Sequence, residues 1–157
     1  MLSNKSRASL PHLTVAAIVK KDQHYLVVKE FQDGKAVLNQ PAGHVENNET
    51  LQQAVIRETL EESGWRVEPK GIVGLYSFTP FVGADTYHRV AIYCEAIEKV
   101  TDALDPDIAS AHWMTVGELT SQTLRSPLVL QCIEDFERGQ NFPLEIICNH
   151  HISPNSG

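Results

Sequence analysis

The stretch Gly43–Trp65, GHVENNETLQQAVIRETLEESGW, is the part of the chain around which the rest is organised. It predicts a loop followed by a single amphipathic helix. Thr50 opens a Thr-x-x-Gln capping box at the start of that helix, and Gly64 stands where a helix C-terminus is expected. At 100° per residue, Val55 falls beside Leu51, on the face that we expect to be buried.

Three carboxylates, Glu58, Glu61 and Glu62, fall on the same face one to two turns further on. Like charges spaced i,i+3 and i,i+4 destabilise a helix by about 0.2–0.5 kcal/mol per pair, and the helix dipole disfavours anions near the C-terminus. A solvated acidic surface is the alternative interpretation, but it would place these residues opposite the apolar ones. A divalent cation would turn each unfavourable interaction into a favourable one, so the pattern predicts a metal site.

Composition limits the classes of function that the chain can have. At 157 residues it is most simply one domain. A net charge of −7 without a Lys/Arg-rich run argues against binding to nucleic acid or to an anionic membrane. No apolar run approaches the roughly 18 residues of a membrane span, and the N-terminus lacks the apolar segment of a secretory signal. Three cysteines without C-x-x-C spacing argue against a disulfide framework and a structural zinc site, so we expect a cytoplasmic protein.

The segments outside the central stretch predict an α+β fold, in which a mixed β-sheet lies between helices. Regular βαβ alternation is missing, which argues against a doubly wound parallel sheet. The domain is expected over residues 11–149, with a disordered N-terminus (1–10) and a flexible tail (150–157). The predicted strands span 12–20, 25–30, 36–38, 65–78, 87–97 and 111–115. The first two are expected to form a hairpin, and the fourth is expected to be broken at 69–71 and at Gly74. An irregular loop is expected at 39–44, a helical turn at 116–121, a helix at 128–138 and a last extended piece at 141–148.

The spacing of the polar residues in the central stretch matches a known pattern. Gly43 is followed after five residues by Glu49, and seven residues later come Arg57-Glu58, Glu61-Glu62 and Gly64. This series resembles the Nudix box at every polar and glycine position, whereas Thr59 and Trp65 stand where the family usually has an aliphatic residue. Segments 39–44, 124–129 and 138–145 are also similar to the NudJ-type phosphatase branch of the family, and the likeness covers roughly residues 11–147.

The resemblance implies a chemistry for the box. It implies an α/β/α sandwich and Mg²⁺, with Mn²⁺ able to replace it, held by Glu58, Glu61 and Glu62 and by the backbone carbonyl of Gly43. The implied reaction is hydrolysis of a phosphoric anhydride by metal-assisted attack of water on phosphorus. Glu58 or Glu61 is expected to act as general base, and Arg57 to hold a neighbouring carboxylate in place.

Substrate contacts are expected outside the acidic cluster. His44, Arg89 and Arg125 are candidates to bind substrate, although His44 could simply fill its loop and Arg89 could be an ordinary strand residue. The aromatic candidates to stack on a pyrimidine or nucleobase are Phe31, Tyr76, Phe78 and Phe81.

The branch resemblance implies small-molecule substrates, namely hydroxymethylpyrimidine pyrophosphate, thiamine pyrophosphate and nucleoside di- and triphosphates, with release of phosphate. The protein is expected to be a monomer or a homodimer. The alternatives are a Nudix enzyme that cleaves nucleotide sugars or dinucleotides, and a non-catalytic nucleotide-binding module.

Overall fold

A computed structural model describes residues 10–153 of the chain. The predictions for residues 1–9 and 154–157 therefore lie outside the described residues. In chain order the elements are β1 His12–Lys21, β2 His24–Gln32, β3 Lys35–Asn39, β4 Ala42–His44, α1 Leu51–Ser63, β5 Trp65–Phe78, β6 Tyr87–Lys99, β7 Ile108–Met114, α2 Val116–Thr120, α3 Leu128–Glu137 and a 3₁₀ turn at Leu144–Ile146.

The strands form a mixed sheet in the order β3-β2-β1-β6-β5, with β4 paired to β1 and β7 paired to β2. Strand β1 runs parallel to β6, and the other pairings are antiparallel. The predicted hairpin between β1 and β2 is present but short, because the two strands share only two residue pairs next to their turn. The two turn residues, Asp22 and Gln23, have φ values of 49° and 69°, as a tight two-residue hairpin requires. Beyond that turn β1 and β2 diverge toward different partners.

Helices cover both faces of the sheet. Alternate residues of β1 point in opposite directions, so Val15 and Val19 pack on the side of α1, whereas Ile18 packs on the side of α2 and α3. Two apolar cores result, one containing Val55 of α1 and the other containing Ile133 of α3. The predicted α+β sandwich with a mixed sheet is therefore confirmed.

The central helix begins and ends where the sequence predicts. The Thr50 hydroxyl accepts from the backbone N–H of Gln53, the Gln53 side chain accepts from the backbone N–H of Thr50, and Gly64 adopts the left-handed conformation at φ 78°. Thr59 is fully buried, and its hydroxyl donates to the carbonyl of Val55 at 2.6 Å. That bond satisfies a polar group inside the core, which is why threonine can stand where the family usually has an aliphatic residue.

Three predictions of local structure differ from the observed fold. The irregular loop expected at 39–44 contains the short strand β4, because its last three residues pair with β1. Strand β5 is continuous where interruptions were expected, and its pairing with β6 shifts at bulges near Gly71 and Gly74 instead. The extended piece expected at 141–148 is wrong: Phe142 makes one bridge to Ile72, and a 3₁₀ turn follows directly after Pro143.

Candidate active site

Arg57 holds the loop of the box against helix α1. Its Nε and Nη2 donate to the two oxygens of Glu49, at 2.7 and 3.0 Å, and Nη2 also donates to the backbone carbonyl of His44 at 3.1 Å. Glu49 is only 7% exposed and accepts a further hydrogen bond from the backbone N–H of Glu46. Arg57 lowers the pKa of the Glu49 carboxyl, so this partly buried pair stays charged and joins the loop to the helix.

Glu58 lies between Arg57 and the backbone of β4. Arg57 Nη1 donates to its carboxylate at 2.8 Å, and the side chain is 15% exposed. A Cβ atom built on Gly43 would overlap this carboxylate, so the glycine is needed for the close approach of Glu58 to the strand. Burial raises the pKa of Glu58, and the neighbouring Arg57 opposes the rise. The fold thus brings Glu58 and Gly43, two of the predicted metal ligands, into contact.

Glu62 is the most deeply placed carboxylate of the three. It accepts a hydrogen bond from the backbone N–H of Ala42 at 2.8 Å. Burial raises its pKa to about 8, with smaller contributions from Glu58, Glu30 and Asp105, whereas the Ala42 bond opposes the rise. In this environment no cationic side chain stabilises the ionised form of the Glu62 carboxyl among the described residues, and a bound cation would do so.

Glu61 is less inward than the sequence predicts. Its side chain is 44% exposed and contacts Arg57 Nη1 at 3.3 Å. The buried face of α1 is centred instead on Ala54, Val55, Thr59 and Ser63, so the face with the glutamates turns partly toward solvent. Within residues 10–153, no three carboxylate, imidazole or thiolate groups converge closely enough to form a ready-made metal site.

The donors of the box nevertheless fit Mg²⁺ in kind. Glu58, Glu61 and Glu62 supply carboxylate oxygens within about one helical turn, and β4 supplies a backbone carbonyl at Gly43. Mg²⁺ prefers such hard oxygen ligands and retains several waters, so it does not require all four at once. The Arg57 guanidinium neutralises part of the same charge in this structure.

A cleft of about 1090 Å³ opens beside the box, and Gly43, His44, Arg89 and Arg125 all border it. Arg89 is the least exposed of these, at 7%. Its guanidinium donates to the side-chain oxygens of Gln40 at 2.9 Å and Asn39 at 3.0 Å. Among the residues that the structure describes, no carboxylate forms an ion pair with it.

Arg125 differs from Arg89 because its charge is matched. Its Nη1 pairs with Glu30 at 3.0 Å, and its backbone N–H donates to the carbonyl of Leu38. Glu30 and Arg125 separate the main cleft from a smaller hollow of about 460 Å³, which Glu62 and Asp105 also border. The two predicted arginines therefore line one cleft in different electrostatic states.

His44 and two of the aromatic candidates also lie at the cleft. Nε2 of His44 is 2.8 Å from Nδ1 of His12, and burial together with His12 lowers the pKa of His44. Phe78 and Phe81 border the cleft, the latter 70% exposed. Tyr76 does not, because it packs in the core on the α3 side and its hydroxyl donates to Asp135 at 2.6 Å. Phe31 borders the smaller hollow instead.

Several residues in or directly behind the cleft carry no signal in the sequence. Gln40 and Asn39 orient Arg89, Glu30 pairs with Arg125, and Asp85 contacts His12. Each is a common polar residue, and each of these four contacts joins residues that lie 49 or more positions apart. Only the segment 39–44, noted for its likeness to the NudJ branch, pointed toward two of them.

Comparisons with known proteins agree with this geometry. The NUDIX domain family matches residues 10–132. Phosphatase NudJ of Escherichia coli K12 is 37% identical over 145 residues, which cover 87% of this chain and 90% of that protein. A NUDIX hydrolase from Nitrosomonas europaea has a TM-score of 0.85 at 38% identity, covering 88% of this chain and 97% of the other. A MutT NUDIX hydrolase from Burkholderia pseudomallei shares the fold, with a TM-score of 0.70 at 20% identity and coverage of 80% and 98%.

The chain therefore belongs to the Nudix family. It is a Nudix hydrolase that acts on pyrophosphate bonds, and it is similar to the phosphatase NudJ. None of the helices within residues 10–153 is long and apolar enough to cross a membrane.

Proposed function

We propose that this protein is a Mg²⁺-dependent phosphatase of organic pyrophosphates and nucleoside di- and triphosphates. The observation that carries the proposal is that two unmatched groups of opposite charge lie on either side of the Glu30–Arg125 pair. Glu62 borders the smaller hollow and Arg89 borders the main cleft, and among the described residues neither side chain has a partner of opposite charge. A phosphoric anhydride together with a divalent cation satisfies both.

The chain's own residues have separate tasks in this proposal. Glu58, Glu61, Glu62 and the Gly43 carbonyl would hold Mg²⁺, which when bound neutralises phosphate charge and acidifies water. Glu58 or Glu61 takes up the proton of the attacking water as general base. Arg57 keeps these side chains in register with the loop.

Arg89 binds a phosphate group of the substrate in the main cleft. Gln40 and Asn39 fix its guanidinium without neutralising it, so its charge remains available to the substrate. Arg125 is the weaker candidate, because Glu30 already pairs with it. The likeness to NudJ supports hydroxymethylpyrimidine pyrophosphate, thiamine pyrophosphate, and nucleoside di- and triphosphates as substrates.

The proposal is tested by product identity. Purified protein is incubated with hydroxymethylpyrimidine pyrophosphate, ADP, GTP, a nucleotide sugar and a dinucleotide, with Mg²⁺, with Mn²⁺ and with EDTA. We expect inorganic phosphate from hydroxymethylpyrimidine pyrophosphate, ADP and GTP, and no turnover in EDTA. Arg89→Gln should raise KM about tenfold or more, the size expected for the loss of a charged hydrogen bond to the substrate. Two phosphorylated products from the last two substrates would instead favour another Nudix specificity.

Tight nucleotide binding without turnover of any anhydride would sink the enzymatic proposal and favour a non-catalytic binding module. The complete set of box carboxylates supports the enzyme, because a binding module does not need all three. A cytoplasmic location and a monomeric or homodimeric state remain predictions.

A further inference from the structure

Three side chains from distant parts of the sequence form a hydrogen-bonded chain at one rim of the cleft. The Asp85 carboxylate is 2.7 Å from Nε2 of His12, and Nδ1 of His12 is 2.8 Å from Nε2 of His44. The His12 ring also stacks on Tyr87, with centroids 4.5 Å apart and planes inclined by 11°. Both nitrogens of His12 are therefore engaged, and its ring is held in one orientation.

The order of protons along this chain follows from the acceptor at its end. A carboxylate only accepts, so His12 must donate to Asp85 through Nε2–H. In a neutral imidazole the other nitrogen then has no proton, so Nδ1 of His12 accepts from Nε2–H of His44. By the same rule Nδ1 of neutral His44 carries a lone pair. Within the described part of the chain this nitrogen has no hydrogen-bond partner, and His44 borders the cleft.

We propose that Asp85 and His12 are positioning residues that hold His44 as the Nε2–H tautomer, so that its Nδ1 accepts a hydrogen bond from the substrate. The inference rests on the proposed function and adds the chemistry of one specificity contact. A lone pair repels phosphate oxygens, so the matching group is an N–H or O–H of the organic part of the substrate. His44 thus selects pyrophosphates whose organic part carries a hydrogen-bond donor, while Arg89 binds phosphate.

The position of the chain supports a role in selectivity. Asp85 lies in the segment between β5 and β6, which also carries Phe81 at the cleft, and the backbone N–H of His12 donates to the carbonyl of Thr86 in that segment. His12 therefore connects the aromatic side of the cleft to His44 on β4. An organic group between Phe81 and His44 would meet an apolar ring and a fixed acceptor together.

The first test measures the tautomer directly. Nitrogen NMR of the imidazole rings at pH 8, where imidazoles with ordinary pKa values are neutral, reports which nitrogen carries the proton. His44→Gln identifies the His44 signals. We expect His44 as a single Nε2–H tautomer in the wild-type protein. In His12→Phe, which keeps a ring beside Tyr87 but removes both nitrogens, we expect a mixture of tautomers. A His44 ring protonated on Nδ1 in the wild-type protein would overturn the proposal.

The second test separates the organic part from the phosphates. ADP carries amino and hydroxyl donors, whereas methyl diphosphate carries neither. His12→Phe should lower kcat/KM for ADP about 3- to 10-fold, mainly through KM, because one neutral hydrogen bond loses its fixed acceptor. For methyl diphosphate, measured as a substrate or as an inhibitor of ADP hydrolysis, the change should stay within about twofold. His88→Phe is the matched control, since His88 is exposed on β6 and contacts Ser77 rather than the cleft.

Equal losses for ADP and methyl diphosphate would overturn the proposal, because they would place His44 on the phosphates or show a general defect. The failure of the proposed function looks different. A wild-type protein that hydrolyses neither compound is not a phosphatase of this kind, whereas the NMR measurement still decides whether the chain fixes His44.

Discussion

Replacing Glu62 by glutamine should stabilise the metal-free protein, and the gain should grow with pH. Burial raises the pKa of this carboxyl from its ordinary 4.5 to about 8. A raised pKa means that ionisation is easier in the unfolded chain than in the fold. The stability that the protonated group contributes is therefore fully present below pH 4.5 and is lost progressively up to about pH 8.

The magnitude follows from the two pKa values. Each pKa unit corresponds to about 1.4 kcal/mol, so the wild-type protein loses at most about 5 kcal/mol above pH 8. Integrating the titration gives about 1 kcal/mol at pH 5 and about 3 kcal/mol at pH 7. Glu62→Gln removes the ionisation and can keep the bond from the backbone N–H of Ala42. We expect it to exceed the wild-type protein in unfolding free energy by amounts approaching these.

Urea denaturation in EDTA at pH 5, 7 and 9 measures this difference. Glu61→Gln is the matched control on the same helix, because its exposed pair with Arg57 is worth at most about 1 kcal/mol. Adding Mg²⁺ should stabilise the wild-type protein and should stabilise Glu62→Gln less, since a cation that binds only the fold shifts unfolding by mass action. A gap between Glu62→Gln and the wild-type protein that does not widen from pH 5 to pH 9 would refute the reasoning.

Two further substitutions probe how the box is held. Gly43→Ala should lower hydrolysis at least tenfold, because the new Cβ displaces the Glu58 carboxylate. The same substitution should change the free energy of unfolding by only about 1 kcal/mol, because the end of the Glu58 side chain can move. Gly117→Ala, whose new Cβ lies 3.8 Å from the nearest atom, is the neutral control. Arg57→Met should destabilise the fold by about 3 kcal/mol in urea denaturation by leaving the buried Glu49 carboxylate unpaired, and a second change, Glu49→Gln, should restore part of that loss. An Arg57→Met protein as stable as the wild type would show that the pair is not structural.

The helix of the box could be predicted closely because its signals are local. The capping box at Thr50 and the glycine at Gly64 act within a few residues of themselves, and both form as expected. The same holds for β1, β2 and β6, whose apolar runs are read directly from the sequence. The inward face of the helix was predicted less closely. The hydroxyls of Thr59 and Ser63 donate to backbone carbonyls four residues earlier in the chain, so these two polar residues can be buried.

The cleft could be predicted only in part. His44, Arg89 and Arg125 were identified as single residues, and the fold brings all three to one cleft. Arg89 contacts neutral side chains, whereas Arg125 forms an ion pair with Glu30. These partners lie far away in the sequence, so no local pattern reveals the difference in charge pairing. The contacts of His12 with Asp85 and His44 likewise depend on tertiary pairing across 73 and 32 positions.

The parallel pairing of β1 with β6 has a consequence for how the protein is made. Val15 pairs with Val90 and Val19 with Cys94, so most of the partners of β1 lie 75 positions further along the chain. During synthesis the apolar middle of β1 emerges long before β6 exists, and only the short contacts with β2 and β4 can form early. Such non-local pairings close slowly, and an unpaired apolar strand is prone to aggregate in the meantime. The strand that joins both sides of the cleft is therefore translated well before its partner β6, and its pairing is completed only when β6 has been made.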